Sequence, residues 1–158
     1  MGNNFKFFAE SSIDDNSSFD FTSSSATLTR YLYDNNYNTR LVSSGSNDAT
    51  PEIYTISFAA TITATAIFLG YNNFKNFTIQ YSDDDQGSWS DFSSAIAETV
   101  NAVNYNFYEF TEVSGITDLR VTANTTITTN AEKQLGQLRI FFLIGEVSAN
   151  PYNITNPY

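Results

Sequence analysis

The densest run of groups able to do chemistry in this chain is Asp34-Asn35-Asn36-Tyr37-Asn38-Thr39-Arg40, which continues into Leu41-Val42-Ser43-Ser44. It places a carboxylate, amides, a phenol ring, a hydroxyl and a guanidinium within one short stretch. That set suits recognition of a sugar. An aromatic face stacks on the apolar face of the ring, and planar polar groups take the hydroxyls. Asn36, Tyr37, Asn38 and Arg40 are the residues expected to supply it. A plainer account of Arg40 is a pair with a nearby acid. Tyr31 and Tyr33 flank the run and read better as core residues than as ligand contacts.

Other chemistry is excluded by what is missing. The chain has 158 residues, with no histidine and no cysteine. Ser-His-Asp and Cys-His nucleophiles, zinc sites and disulfides are therefore ruled out, and the commonest general base is gone. Glu109 and Glu112 are the one pair that could be imagined as glycosidase carboxylates, but no spacing signal sets them across a cleft. No catalytic residue is assigned, and the protein is expected not to be an enzyme. Asp83-Asp84-Asp85 reads as a solvated turn before a metal cluster. Trp89 is expected to plug the core beside Tyr81. Glu132 and Lys133 are expected to form a surface pair. The sequons at Asn76, Asn124 and Asn153 read as accidental, because the N-terminus lacks an export signal.

The elements that must position the loop are strands. Hydrophobic residues make up 41% of the chain and charged residues 15%, a folded profile sized for one domain. The net charge of −10 opposes both nucleic-acid phosphates and anionic membranes. No run is long enough for a transmembrane helix. Residues 53–58, 63–71, 76–82, 107–110, 119–123 and 135–144 carry β-branched and aromatic residues in alternation, separated by turn signals. Trp89 to Phe92 follows the Asp83–Gly87 turn. Ala26–Tyr33 fits a strand or a single helical turn, and residues 93–106 read as the longest connection without a strand, with room for one helical turn. Asn3 to Ser25 is a polar arm or a leading strand. The tail carries Asn150-Pro151-Tyr152 and Asn156-Pro157-Tyr158, which read as an extended arm.

These stretches, in this order, resemble the discoidin-type (coagulation-factor type C) domain of the galactose-binding-like superfamily. The likeness runs over residues 26–145. Its carriers are Asp34…Thr39-Arg40-Leu41-Val42-Ser43, Ile79-Gln80-Tyr81-Ser82-Asp83-Asp84…Gly87-Ser88-Trp89, Phe107-Tyr108-Glu109-Phe110, Leu119-Arg120-Val121 and Leu135-Gly136-Gln137-Leu138-Arg139-Ile140-Phe141. The resemblance implies a non-catalytic jelly-roll β-sandwich of about eight antiparallel strands, with ligand loops at one end. It also implies a structural calcium ion held by Asp34, Thr39 and the position of Gln137, where the family has Glu. The family's loop tryptophan is Leu41 here, and its loop glycine is Asn35. The chain is also similar to cysteine-free discoidin-like proteins encoded among bacteriophage structural genes.

The resulting expectation is an all-β sandwich over residues 26–147, with an N-terminal arm or leading strand at 1–25 and a C-terminal arm at 148–158. Its first expected role is a structural or adhesive subunit of a phage capsid or tail. Pro151, Tyr152, Pro157 and Tyr158 would then dock on other virion proteins or on copies of itself. Its alternative is a free carbohydrate-binding module for cell-surface or polymeric glycans. No cofactor beyond the calcium is expected, nor nucleic acid or membrane insertion. The expected location is the virion, assembled in the host cytoplasm, or else the extracellular space by a non-classical route.

Overall fold

The computed structural model describes residues 4–11, 13–23, 26–36, 38–44 and 47–148. Nine strands appear among them: β1 Asn4–Ser11, β2 Ser18–Phe21, β3 Leu41–Val42, β4 Glu52–Gly70, β5 Phe74–Ser82, β6 Ser90–Glu98, β7 Tyr105–Thr126, β8 Gln134–Leu135 and β9 Gln137–Ser148. Every pairing between them is antiparallel. A 3-10 helix, Ala26–Leu32, joins β2 to the Asp34 loop.

Two long strands make the sandwich. β4 pairs through Glu52–Ser57 with Asp118–Ala123 of β7, and through Ala66–Gly70 with Tyr105–Glu109 of the same strand. The register shifts between Ser57 and Ala66, and Ala59, Ala60 and Thr61 are exposed there. Opposite this bend, β7 turns at Gly115, whose φ of +78° is a conformation glycine adopts at little cost. The two strands thus cross together from one layer to the other. Their first and last halves lie in different layers, so each reads in the sequence as two separate strands. Layer one holds β2, the start of β4, the end of β7, β5 and β6. Layer two holds β1, β9, the end of β4 and the start of β7.

Alternation sets what faces inward. Tyr54 pairs with Val121 and Ile56 with Leu119 in layer one. Ile67 pairs with Ile140 and Leu69 with Leu138 in layer two. All eight are buried, and with Phe74, Phe77 and Ile79 they form one core cluster. Leu32, Leu41 and Leu135 join it from the loop end.

Several expectations are corrected. The segment 93–106 is not one long connection: β6 runs to Glu98, because Ile96 and Glu98 pair with Ile79 and Phe77. Of the two readings of the N-terminal segment, the leading strand is the one seen: residues 4–11 and 18–21 pair within the molecule. Trp89 does not fill the core. It lies half-buried under the Arg120 guanidinium, 4.2 Å from the ring centroid, while Phe92 takes the place beside Tyr81 at 5.0 Å. Lys133 is no surface residue: it is fully buried, and Nζ donates to the carbonyls of Asn47 at 2.6 Å and Thr50 at 2.7 Å. The C-terminal residues Pro151, Tyr152, Pro157 and Tyr158 lie outside the described residues.

Asp84 holds the β5–β6 turn. Its carboxylate accepts from Ser82 Oγ at 2.7 Å, Ser88 N at 2.8 Å and Ser88 Oγ at 2.8 Å. Asp48 does the same at the loop end, accepting from Asn130 N at 3.0 Å and from Thr126 N at 3.0 Å. The Asn130 N–H, foremost, holds the Asp48 carboxyl below its ordinary value of 3.8. A carboxylate depressed in the folded state stabilises the fold above its ordinary value and loses that contribution as the pH falls through its folded value. Asp48→Asn should therefore be less stable than wild type at neutral pH, and the gap should close below 3.8. Thermal melts of both proteins across that range check this, and a gap that stays constant would contradict it.

Candidate functional site

The loops that join the layers at one end are built around buried amides. Asn72 Nδ2 donates to Asn106 Oδ1 at 3.0 Å, and Asn106 Nδ2 donates to Asn101 Oδ1 at 3.0 Å. Asn101 Nδ2 donates to the Phe74 carbonyl at 2.6 Å and the Val103 carbonyl at 2.8 Å. All three asparagines are buried, so each bond replaces water that the group has lost. The result is a fixed crossing of the 71–73 and 99–104 loops.

That crossing presents Tyr71 and Tyr105. Their rings meet edge to face with centroids 4.8 Å apart. Tyr71 has φ of +55°, a left-handed conformation that costs a bulky residue about 1–2 kcal/mol. Strain of this kind persists only where its surroundings over-determine it, and it gathers at ligand clamps. Tyr105 stacks on Phe68 at 6.5 Å and leaves 51% of its surface exposed. Beyond it on the same sheet face, half-exposed Phe107 contacts Phe8 at 5.8 Å and Phe141 at 6.2 Å. An aromatic row thus descends from the loop end.

Arg40 completes the platform. Its guanidinium lies 5.8 Å from the Tyr71 ring centroid, and Nη1 donates to Gln134 Oε1 at 3.1 Å. The short β3–β8 ladder, Leu41 on Leu135 and Val42 on Gln134, brings Gln134 beside it, so an amide rather than an acid is the partner seen among the described residues. Gly136 lies beneath. A Cβ there would come 2.8 Å from Tyr71 Cβ and 3.2 Å from the Thr39 carbonyl oxygen. Only glycine lets the junction of β8 and β9 pass this close to both halves of the platform.

The structure places the other predicted residues as follows. Asn36 and Asn38 are exposed on the loop leading to Arg40. Asn36 also shapes that loop, its Oδ1 accepting from Asn38 N at 3.0 Å. Tyr37 lies outside the described residues. Tyr33 stacks on Phe19 at 6.2 Å, with its hydroxyl donating to Asp15 at 2.7 Å. Glu109 pairs with Lys6, and Glu112 lines a cavity at the far end. Tyr71 and Tyr105 are site residues that the reading of the sequence does not single out. The signal available for them was a tyrosine set among asparagines just outside a strand, as in Gly70-Tyr71-Asn72-Asn73 and Asn104-Tyr105-Asn106.

The residues matched to the family's calcium do not fit an ion. Asp34 Oδ2 accepts from Thr39 Oγ1 at 2.7 Å and Oδ1 from Asn36 N at 2.8 Å. Between this loop and β9 stands a cation of the chain's own. Arg139 is 8% exposed, and its Nη2 donates to Asn35 Oδ1 at 2.7 Å and reaches Gln137 Oε1 at 3.4 Å. Calcium requires six to eight oxygens converging on a point. Here the oxygens converge on hydrogen-bond donors, one of them a guanidinium.

The fold is that of solved carbohydrate-binding modules. Chitosan-binding module 1 from the chitosanase/glucanase of Paenibacillus sp. IK-5 superposes with a TM-score of 0.66 at 18% identity, over 80% of this chain and 96% of that one. Module 2 of the same enzyme, solved with chitotriose, gives 0.62 at 20% identity, over 82% and 97%. The Clostridium perfringens module CpGH89CBM32-5, solved with GalNAc-β-1,3-galactose, gives 0.64 at 13% identity, over 80% and 96%. No protein-family model matches the sequence, and no curated protein matches it. The likeness therefore lies in the fold, and the site must be argued from this chain's own residues.

Proposed function

We propose that the protein is a carbohydrate-binding module that grips glycans at its loop end. Tyr71 and Tyr105 supply the stacking surface. Arg40, Asn36 and Asn38 supply the hydroxyl contacts. The observation that carries this reading is the Arg40–Tyr71–Tyr105 platform, with the Tyr71 backbone held in a left-handed conformation at the tip of a fold shared with glycan-binding modules. The neighbours support this reading over the virion role, which rests on the sequence resemblance alone. The two are compatible, since a particle subunit can also hold a host polysaccharide.

A glycan array probed with the purified chain tests the proposal. Binding to a defined subset of glycans is expected, weakened about tenfold in Arg40→Ala by loss of charge-assisted hydrogen bonds. A flat array would contradict it. The fold is further proposed to need no calcium, because Arg139 already ties the Asp34 loop to β9. Adding a chelator should leave the melting temperature of the wild type unchanged, whereas Arg139→Ala should lower it. A chelator-induced drop in the wild type would overturn this.

A further inference from the structure

A concavity lies at the end of the sandwich opposite the platform, where β4 bends. It has a volume of about 660 Å3, within the range of small-molecule sites. Its apolar wall is Phe58, Ala59, Ala60 and Ile62 from the bend, with Phe142 from β9. Its polar rim holds Asp14 and Asn16 from the β1–β2 connection and Glu112 from β7. Among the described residues, no lysine or arginine lines it. The wall is incompletely covered, with Phe142 37% exposed.

The chemistry of the rim decides what the cavity suits. Asp14 is held by the turn it caps, where Oδ1 accepts from Asn16 N at 2.9 Å and Oδ2 from Asn16 Nδ2 at 3.2 Å. Those bonds, the backbone N–H of Asn16 first, keep its carboxyl below the ordinary range, so it stays charged near neutrality. An apolar wall beside two carboxylates disfavours an anion and gives a neutral apolar ligand no partner for the rim. We propose that this cavity is a binding site for a small amphipathic amine, its apolar body against Phe58, Ile62 and Phe142 and its ammonium between Asp14 and Glu112. The site is distinct from the glycan platform and does not depend on it.

The test is an amide-shift NMR titration of the full chain with 2-phenylethylamine, and with 2-phenylethanol as its uncharged counterpart. The amine should move the amides of residues 14–17 and 58–63 and leave those of Arg40, Tyr71 and Tyr105 in place. Its affinity should fall about tenfold in Glu112→Gln and exceed that of the alcohol by a similar factor. Glu112 is an exposed rim residue, so its substitution leaves the core intact. Phe142→Ala should weaken amine and alcohol alike. Equal affinity for amine and alcohol would overturn the proposal, as would an absence of shifts around the bend at millimolar amine.

Discussion

Replacing Lys133 by alanine is expected to lower the unfolding free energy by about 3 kcal/mol, a large share of what holds a domain of this size together. The Lys133 side chain is fully buried, and its ammonium closes the loop end by donating to the Asn47 and Thr50 carbonyls. Its backbone is held as well: Lys133 N donates to Ser43 Oγ at 2.8 Å, and the Lys133 carbonyl accepts from Ser43 N at 2.9 Å. Burial pushes the ammonium's pKa down, while the nearby carboxylates Asp48 and Glu52 pull it back up. Glu52 is itself buried and accepts from Ser23 N at 3.0 Å. Truncation would leave two carbonyls without their donor and two carboxylates without their cation. Lys133→Met separates the contributions, since it keeps the apolar stem and removes only the charged head. It should fall between wild type and Lys133→Ala in urea unfolding. Equal stability of all three proteins would show that the clamp contributes nothing.

Gly136→Ala is expected to cost about 2 kcal/mol and to weaken glycan binding at the same time. The added methyl would meet Tyr71 Cβ and the Thr39 carbonyl, both fixed by backbone and unable to swing aside as a flexible side chain would. Gly136 N also donates to the Gly70 carbonyl at 3.2 Å, so β8 cannot move without disturbing the end of β4. The strain would therefore pass to Tyr71 and Arg40, the two groups the platform needs in register. Urea unfolding reads the stability, and titration with a glycan bound by the wild type reads the site. A variant that binds as the wild type does would show that the platform tolerates a shift of its floor.

Much of the fold was legible because alternation is a local signal. Tyr54, Ile56 and Phe58 announce a strand whatever lies elsewhere in the chain. The bends were less legible. Ala59-Ala60-Thr61 and Ser114-Gly115 look like loops between strands, whereas they are bends within β4 and β7. Only the cross-strand register reveals this. β6 was hidden for another reason: Ser93, Ser94, Ala95 and Ala97 have weak strand preference, and pairing with β5 overrides it. Lys133 looked like a surface residue because its partners lie 86 and 83 positions away. For the site, the loop carrying Asn36, Asn38 and Arg40 was visible in composition. Its aromatic half was not, because Tyr71 and Tyr105 are brought to Arg40 by the buried Asn72–Asn106–Asn101 chain, a long-range arrangement with no local signature.

The loop end, rather than any other surface, is the part of the molecule proposed to hold the glycan. The most direct measurement is an amide-shift NMR titration with chitotriose, GalNAc-β-1,3-galactose and any glycan found on the array. Shifts are expected at Asn38, Arg40, Tyr71 and Tyr105 for at least one of these, and they should be lost when both tyrosines are replaced by alanine in a chain that still melts cooperatively. Shifts confined to the β5–β6 turn around Asp84 and Trp89, or binding undiminished in the double variant, would contradict it.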